Sequence, residues 1–238
     1  MSVKNLKAEL HSYASPERKK TNEWFFKTGE GEYGFGDKFI GISMTHTRKV
    51  ARHYHNLKLS DLHKLLTSPI HEERMTALLI LVAKFEKAGE ELQTDIFEFY
   101  LENDKHINNW DLVDTSAPKI IGAYVFKHPS KKSILIRYSK SKNLWQRRIA
   151  IIATFAFIRD NQFDLTMKIA KTLLLDSHDL THKAVGWMLR EVWKRDHRLV
   201  EKFLIDNYNK VPRTTLRYAI ERMVEFKRKQ FLNKTLDL

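Results

Sequence analysis

The chain has 238 residues, with 42 Lys+Arg against 29 Asp+Glu, a formal charge of +13 and no cysteine. That length is enough for one large domain with a buried core, and the basicity favours a polyanionic partner, nucleic acid ahead of an anionic membrane surface. The lack of cysteine excludes disulfides, iron–sulfur clusters, thiolate zinc sites and cysteine nucleophiles.

In chain order, Met1 to Ser12 is charged and polar, with no apolar stretch like that of a signal peptide. Ser15-Pro16 reads as a helix start, a capping serine with proline in the first turn, and Ser68-Pro69 repeats the pattern. Between them lies a glycine-rich segment, Gly29 to Gly41, holding five of the eight glycines. It reads as a flexible connection whose tip can approach DNA. Its Gly34-Phe35-Gly36 lacks the third glycine and the preceding strand of a nucleotide-binding fingerprint. The longest apolar run, Ala77 to Ala83, is far short of the roughly 20 residues of a membrane span. A cytoplasmic protein without membrane contact is expected.

Pro118, Pro129 and Pro212 mark three further helix starts. Glu72–Lys87, Asn143–Arg159, Asp179–Lys194 and Arg213–Lys229 all show apolar periodicity near 3.6. Roughly twelve helices with short connections are expected. Arg148, Lys183 and Arg217 open similar runs 35 and 34 residues apart, and stepping back by 37 reaches Asp111 and then Arg74. A helix pair repeated at this interval marks an all-α fold, an α-solenoid of HEAT-like repeats. The expectation is one domain over residues 1–238, with amino-terminal helices and the glycine-rich connection in 1–60 and repeats in 61–238. It would form a curved superhelix whose basic concave face follows a duplex backbone. Cations at one helical position can also be no more than a solvated face.

The row breaks at Asn108-Asn109-Trp110-Asp111-Leu112-Val113-Asp114. Trp110 and Asp114 are four apart and share a helix face, as do Lys183 and Trp187. Stacked repeats would gather Trp110, Asp114, Arg148 and Trp187 into one patch. Two indoles and a carboxylate suit an oxocarbenium-like sugar, and Arg148 suits a flanking phosphate.

Trp110-Asp111-Leu112-Val113-Asp114, Asn143-Leu144-Trp145-Gln146-Arg147-Arg148 and Lys183-Ala184-Val185-Gly186-Trp187-Met188-Leu189-Arg190-Glu191 resemble the AlkD-like family of bacterial DNA alkylation-repair glycosylases. The resemblance runs from about Trp24 to Met223. It implies base excision repair, in which the N-glycosidic bond of cationic N3- or N7-alkylated purines in double-stranded DNA is hydrolysed without lyase activity. By it, Asp114 is the catalytic aspartate and Trp110 and Trp187 flank the lesion. Arg148 and Arg190 contact DNA, and Trp24 falls near an aromatic of an amino-terminal helix. Arg147, Lys183 and Arg217 join the expected DNA-binding set. No cofactor and no metal are expected, and a monomer suffices. Leu180 stands where relatives place an aromatic, and the glycine-rich segment marks a separate branch of the family.

Other readings of the same residues stay open. Tryptophans at helical spacing are ordinarily core, as expected for Trp145 and Trp193. Asp114 can cap the next helix or pair with Arg148. His53 and His55 lie on different faces, and His178 and His182 lack an obvious third ligand. A non-catalytic HEAT-like module that binds DNA or protein is the alternative function.

Overall fold

The computed structural model describes residues 1–235, and every regular element among them is helical. In chain order the α-helices are α1 (Val3–His11), α2 (Pro16–Phe25), α3 (Met44–His53), α4 (Leu59–Leu66), α5 (His71–Lys87), α6 (Glu90–Glu102), α7 (Trp110–Ser116), α8 (Ala123–Lys127), α9 (Lys132–Tyr138), α10 (Leu144–Ala153), α11 (Phe155–Arg159), α12 (Asp164–Leu173), α13 (Asp179–Trp193), α14 (His197–Asp206), α15 (Arg213–Ala219) and α16 (Glu225–Asn233). The one extended pairing among the described residues is an isolated parallel bridge between Lys38 and Ile70.

The all-helical expectation holds, with more and shorter segments than expected. After α7 the chain winds through a wide π-type turn, Pro118–Gly122, because Pro118 has no N–H for the regular ladder. Pro118 therefore opens a helical segment, as expected, but a π-helical one that follows directly on α7. α10 gives way to α11 at Thr154, whose buried hydroxyl donates to the Ile151 carbonyl (2.7 Å) and competes with the ladder.

The helix starts divide. Ser15 caps α2 as expected, its Oγ accepting the Arg18 N–H. Ser68 does not cap α5; its Oγ accepts from Ile70 N–H, and the helix begins at His71. Lys38 causes the delay. Its N–H donates to the Pro69 carbonyl (3.3 Å) and its carbonyl accepts from His71 N–H (2.8 Å), which holds residues 69–70 extended. Pro129 opens a short 3-10 turn ahead of α9, and Pro212 is the N-cap of α15.

The chain forms two compact units, Met1–Ile121 and a second that begins at Gly122. In the first, α3, α4 and α7 all pack on α5. The apolar run of α5 supplies that core through Leu78, Ile80, Leu81 and Val82, and truncating any of the leucines or isoleucines to alanine costs about 2–5 kcal/mol. In the second unit α10 packs on α13 and α13 on α15, so corresponding helices of successive repeats meet. Gly186 sets the closeness of the last contact. A Cβ there would lie 2.5 Å from the Tyr218 Cβ and 2.6 Å from the Thr215 carbonyl oxygen, so α13 and α15 approach this closely only over a glycine.

Candidate functional site

α7 carries two of the expected catalytic residues. The Asn109 side chain caps it, its Oδ1 accepting the Trp110 N–H (2.8 Å). Trp110 is the first residue of the helix and Asp114 the fifth, so both lie on one face, and both are half-buried. The Trp110 indole is backed by rings. It stacks on Phe26 (5.3 Å between centroids, 18° between planes), Phe26 stacks on Phe39 (4.9 Å), and Phe39 stacks on His71 (4.4 Å). Phe25 meets Trp110 edge-on at 5.8 Å. Phe25 and Phe26 come from the carboxy-terminal end of α2, where Trp24 is 73% exposed.

Beneath this stack is a buried charge cluster absent from the sequence reading. His71 donates from Nδ1 to Asp37 Oδ2 and from Nε2 to Asp111 Oδ2, each at 2.8 Å. Arg74 Nη2 donates to Asp37 Oδ1 (2.6 Å), and Asn109 Nδ2 donates to Asp37 Oδ2 (3.2 Å). Burial pulls the imidazole toward its neutral form, but Asp111 and Asp37 outweigh it and raise His71 to about 9. Burial also opposes ionisation of Asp37, and His71 and Arg74 outweigh that and hold its carboxyl below the usual range. Two cations thus meet two anions. The cluster ties the glycine-rich segment, α5 and α7 together through side chains with almost no exposure.

The glycine-rich segment is pinned at its end, contrary to the expectation of a flexible connection. The N–H groups of Ile40, Gly41 and Ile42 donate to the buried Glu72 carboxylate (3.1, 2.8 and 3.2 Å). The built-in anion occupies the backbone donors that a phosphate would need. Gly41 has φ +81, and a Cβ on it would lie 2.1 Å from the Ser15 carbonyl oxygen, so no other residue fits there.

The helices also correct the register of the repeats. Asp114, Arg148, Lys183 and Arg217 are each the fifth residue of their helices, α7, α10, α13 and α15. From 114 to 148, 148 to 183 and 183 to 217 the steps are 34, 35 and 34. Asp114, not Asp111, therefore stands where later repeats carry a cation, and Asp111 points into the charge cluster. Arg74 is also misassigned to a solvent-facing row. It is 4% exposed and bound to Asp37 and to the Ser68 carbonyl (3.0 Å).

In the second unit the expected DNA-binding residues differ in availability. Arg148 is 5% exposed, and its Nη1 donates to the Leu180 carbonyl (2.6 Å), so it braces the first turn of α13. Leu180 itself is buried. Arg147 is paired with Asp176 and donates to the carbonyls of Ser141 (3.0 Å) and Lys142 (2.9 Å). Burial opposes ionisation of Asp176, and Arg147 with the His178 N–H outweighs it and lowers the carboxyl. Arg190 is paired with Glu221 and lies 3.6 Å from Glu191. Lys183 is partly exposed and 2.8 Å from Asp179. Arg217 is exposed, with no hydrogen bond or ion pair among the described residues.

Trp187 is half-buried, 6.4 Å from Phe155, and its Nε1 donates to Glu191 Oε1 (3.2 Å). Glu191 also accepts from Lys194 (2.8 Å). This carboxylate fixes the indole, a role the sequence reading missed although the spacing of four pointed to it. Trp145 is buried as expected, and Trp193 is half-buried with its Nε1 on Glu201 (3.1 Å). His182 Nε2 pairs with the Asp176 carbonyl, and His178 Nδ1 accepts the Leu180 N–H. Among the described residues no group of three His, Cys, Asp or Glu side chains is arranged for a metal ion, and no helix is long and apolar enough to cross a membrane.

Three solved structures share this fold. A predicted DNA alkylation repair enzyme from Enterococcus faecalis aligns with a TM-score of 0.69 at 17% identity, over 89% of this chain and 97% of that one. AlkD2 from Streptococcus mutans aligns at 0.56 and 17% identity over 94% and 97%, and smu.31 from Streptococcus mutans UA159 at 0.55 and 16% over 94% and 99%. No curated protein matches the chain. The sequence profile described as DNA alkylation repair enzyme matches residues 6–223, nearly the whole length, and the chain belongs to that family.

Proposed function

We propose that the chain is a DNA glycosylase of base excision repair that hydrolyses the N-glycosidic bond of cationic N3- and N7-alkylated purines in double-stranded DNA. The observation that carries this reading is the pair on α7. Trp110 and Asp114 share one half-exposed face, and the helix beneath them is fixed by stacked rings and buried ions.

An alkylated purine cation leaves with the bonding electron pair as a neutral base, so departure needs neither a general acid nor a cofactor. The deficit falls on the sugar as an oxocarbenium-like charge. The Asp114 carboxylate stabilises that charge and orients the water that adds to the anomeric carbon and releases a proton. The face of Trp110 adds cation–π attraction to the same charge. Trp187 supplies a second indole to the lesion nucleotide, a role carried by its match to the family motif.

Availability ranks the expected DNA contacts. Arg217 is open, and Lys183 needs only to leave a surface ion pair. Arg147 and Arg190 must exchange a carboxylate for a phosphate. Arg148 acts through the turn of α13 that it braces. Trp24 is open to a nucleotide. The protein works on DNA as a monomer.

The test is release of N7-methylguanine or N3-methyladenine from duplex DNA. Release above background by the wild type is expected. A wild type that binds the duplex and releases nothing would leave a DNA-binding module in place of the enzyme.

A further inference from the structure

The first unit contains a cleft outside the motifs singled out in the sequence. It lies between α3 and α5, with a volume of about 630 Å³, and is lined by Thr45, Arg48, Ala51, Arg52, His55, Leu79, Ala83 and Lys87. The two helices build it by simple spacing. Arg48 and Arg52 are four apart on α3, about 6 Å along its axis. Leu79, Ala83 and Lys87 form a stripe of the same spacing on α5. The result is an apolar floor of Ala51, Leu79 and Ala83 with cations at its edges.

The charge at this cleft is unbalanced. No carboxylate lines it. Arg48, Arg52 and Lys87 have no hydrogen bond or ion pair through their side chains among the described residues. Glu86, beside Lys87, faces Lys119 instead (3.7 Å). The contrast with the second unit is direct, since Arg147, Lys183 and Arg190 there each face an acid. Like charges gathered without a counter-ion repel one another, and an anion that bridges them removes the repulsion.

We infer that this cleft is a subsite for the phosphodiester backbone of duplex DNA. Arg48, Arg52 and Lys87 contact phosphates, and the floor of Leu79 and Ala83 meets the apolar edge of the deoxyribose. His55 stands at the rim as a further donor. The inference rests on the reading of the protein as one that acts on DNA, but it does not depend on the chemistry at Asp114. A run of phosphates suits the cleft, because the cations stand at separate points on two helices, Arg48 and Arg52 one turn apart on α3 and Lys87 on α5. Arginine, present twice, also offers the bidentate geometry that phosphate accepts.

The experiment is salt-dependent binding of an unmodified duplex by the full chain, comparing wild type with Arg48→Gln/Arg52→Gln/Lys87→Gln. Each phosphate contact contributes about 0.9 to the slope of log affinity against log salt, so the slope should fall by between about two and three. Affinity at about 0.1 M salt should fall on the order of tenfold or more. A control, Lys64→Gln/Lys202→Gln/Lys229→Gln, removes the same net charge from exposed lysines that each face an acid one turn away. A smaller slope change in the control supports a local site. An equal change in both triples, or an unchanged slope in the cleft triple, overturns the assignment. Poly-glutamate competing as well as duplex DNA for the wild type overturns it too. Base release from an alkylated duplex at saturating protein, measured in parallel, separates the two claims. A wild type without base release refutes the glycosylase and leaves the binding result to decide the cleft.

Discussion

The two helices that present candidate indoles are anchored by opposite means. α7, with Trp110 and Asp114, is fixed from below by ions and rings, through Asp111 on His71 and the stack from Trp110 to Phe26 and Phe39. α13, with Trp187, is fixed by backbone and shape: Arg148 on the Leu180 carbonyl, Gly186 against α15, and Glu191 on the indole N–H. The first anchor depends on charge and therefore on pH. The second contains no histidine and should not respond to pH over the same range. Within α7 the two aspartates also differ, Asp111 accepting from the buried His71 and Asp114 sharing the half-buried face of Trp110.

The largest expected effect is on the charge anchor. His71→Ala removes the bridge between Asp37 and Asp111, leaving Asp37 to Arg74 and Asn109 and Asp111 without its cation, which should cost about 3–5 kcal/mol in urea unfolding. A loss below about 1 kcal/mol would show that the cluster is not an anchor. Next is the shape anchor. Gly186→Ala brings a Cβ against backbone and should cost about 1–3 kcal/mol, with no change in the pH dependence of stability.

The pH dependence follows from His71. The folded imidazole keeps its proton up to about 9, whereas the unfolded one gives it up near 6.5. Between those values the folded state binds one more proton, so raising the pH favours unfolding. The contribution is complete below 6.5 and disappears as pH rises through about 9. The slope in that window approaches roughly 1.4 kcal/mol per pH unit, and His71→Ala should flatten it. The smallest effect is at Arg217, which faces no acid among the described residues. Arg217→Gln should change stability by less than about 0.5 kcal/mol while lowering the salt slope of DNA binding by about 0.9.

Much of this was legible in the chain. Helical periodicity and the capping serine at Ser15 carried the fold class, since both are local signals. The step of 34 to 35 residues carried the repeat, and Trp110 with Asp114 was legible as one face of α7. What failed depends on contacts distant in sequence. Arg74 and Arg148 share the spacing of exposed cations, but distant partners, Asp37 at 37 residues and the Leu180 carbonyl at 32, hold them inside. Asp111 was taken for the break in the row because a step of 37 residues reaches it, and only the helix starts show that Asp114 holds that position. The ionisable run His71-Glu72-Glu73-Arg74, directly ahead of the apolar run of α5, was the available sign of a buried cluster. Periodicity alone assigns such residues to solvent. Of the cations of the α3–α5 cleft, Arg48 is the fifth residue of its helix, but the steps of 37 residues run back only to Arg74, so the period did not reach it, and Arg52 and Lys87 lie off that position.

The most direct measurement sets the two aspartates of α7 against each other, recording base release and urea stability for Asp114→Asn and Asp111→Asn. The account predicts that Asp114→Asn loses base release by a factor on the order of 100 and loses less stability than Asp111→Asn. It predicts that Asp111→Asn loses stability and keeps the rate constant while folded. Wild-type base release by Asp114→Asn, or a rate lost through Asp111 with stability intact, would contradict it.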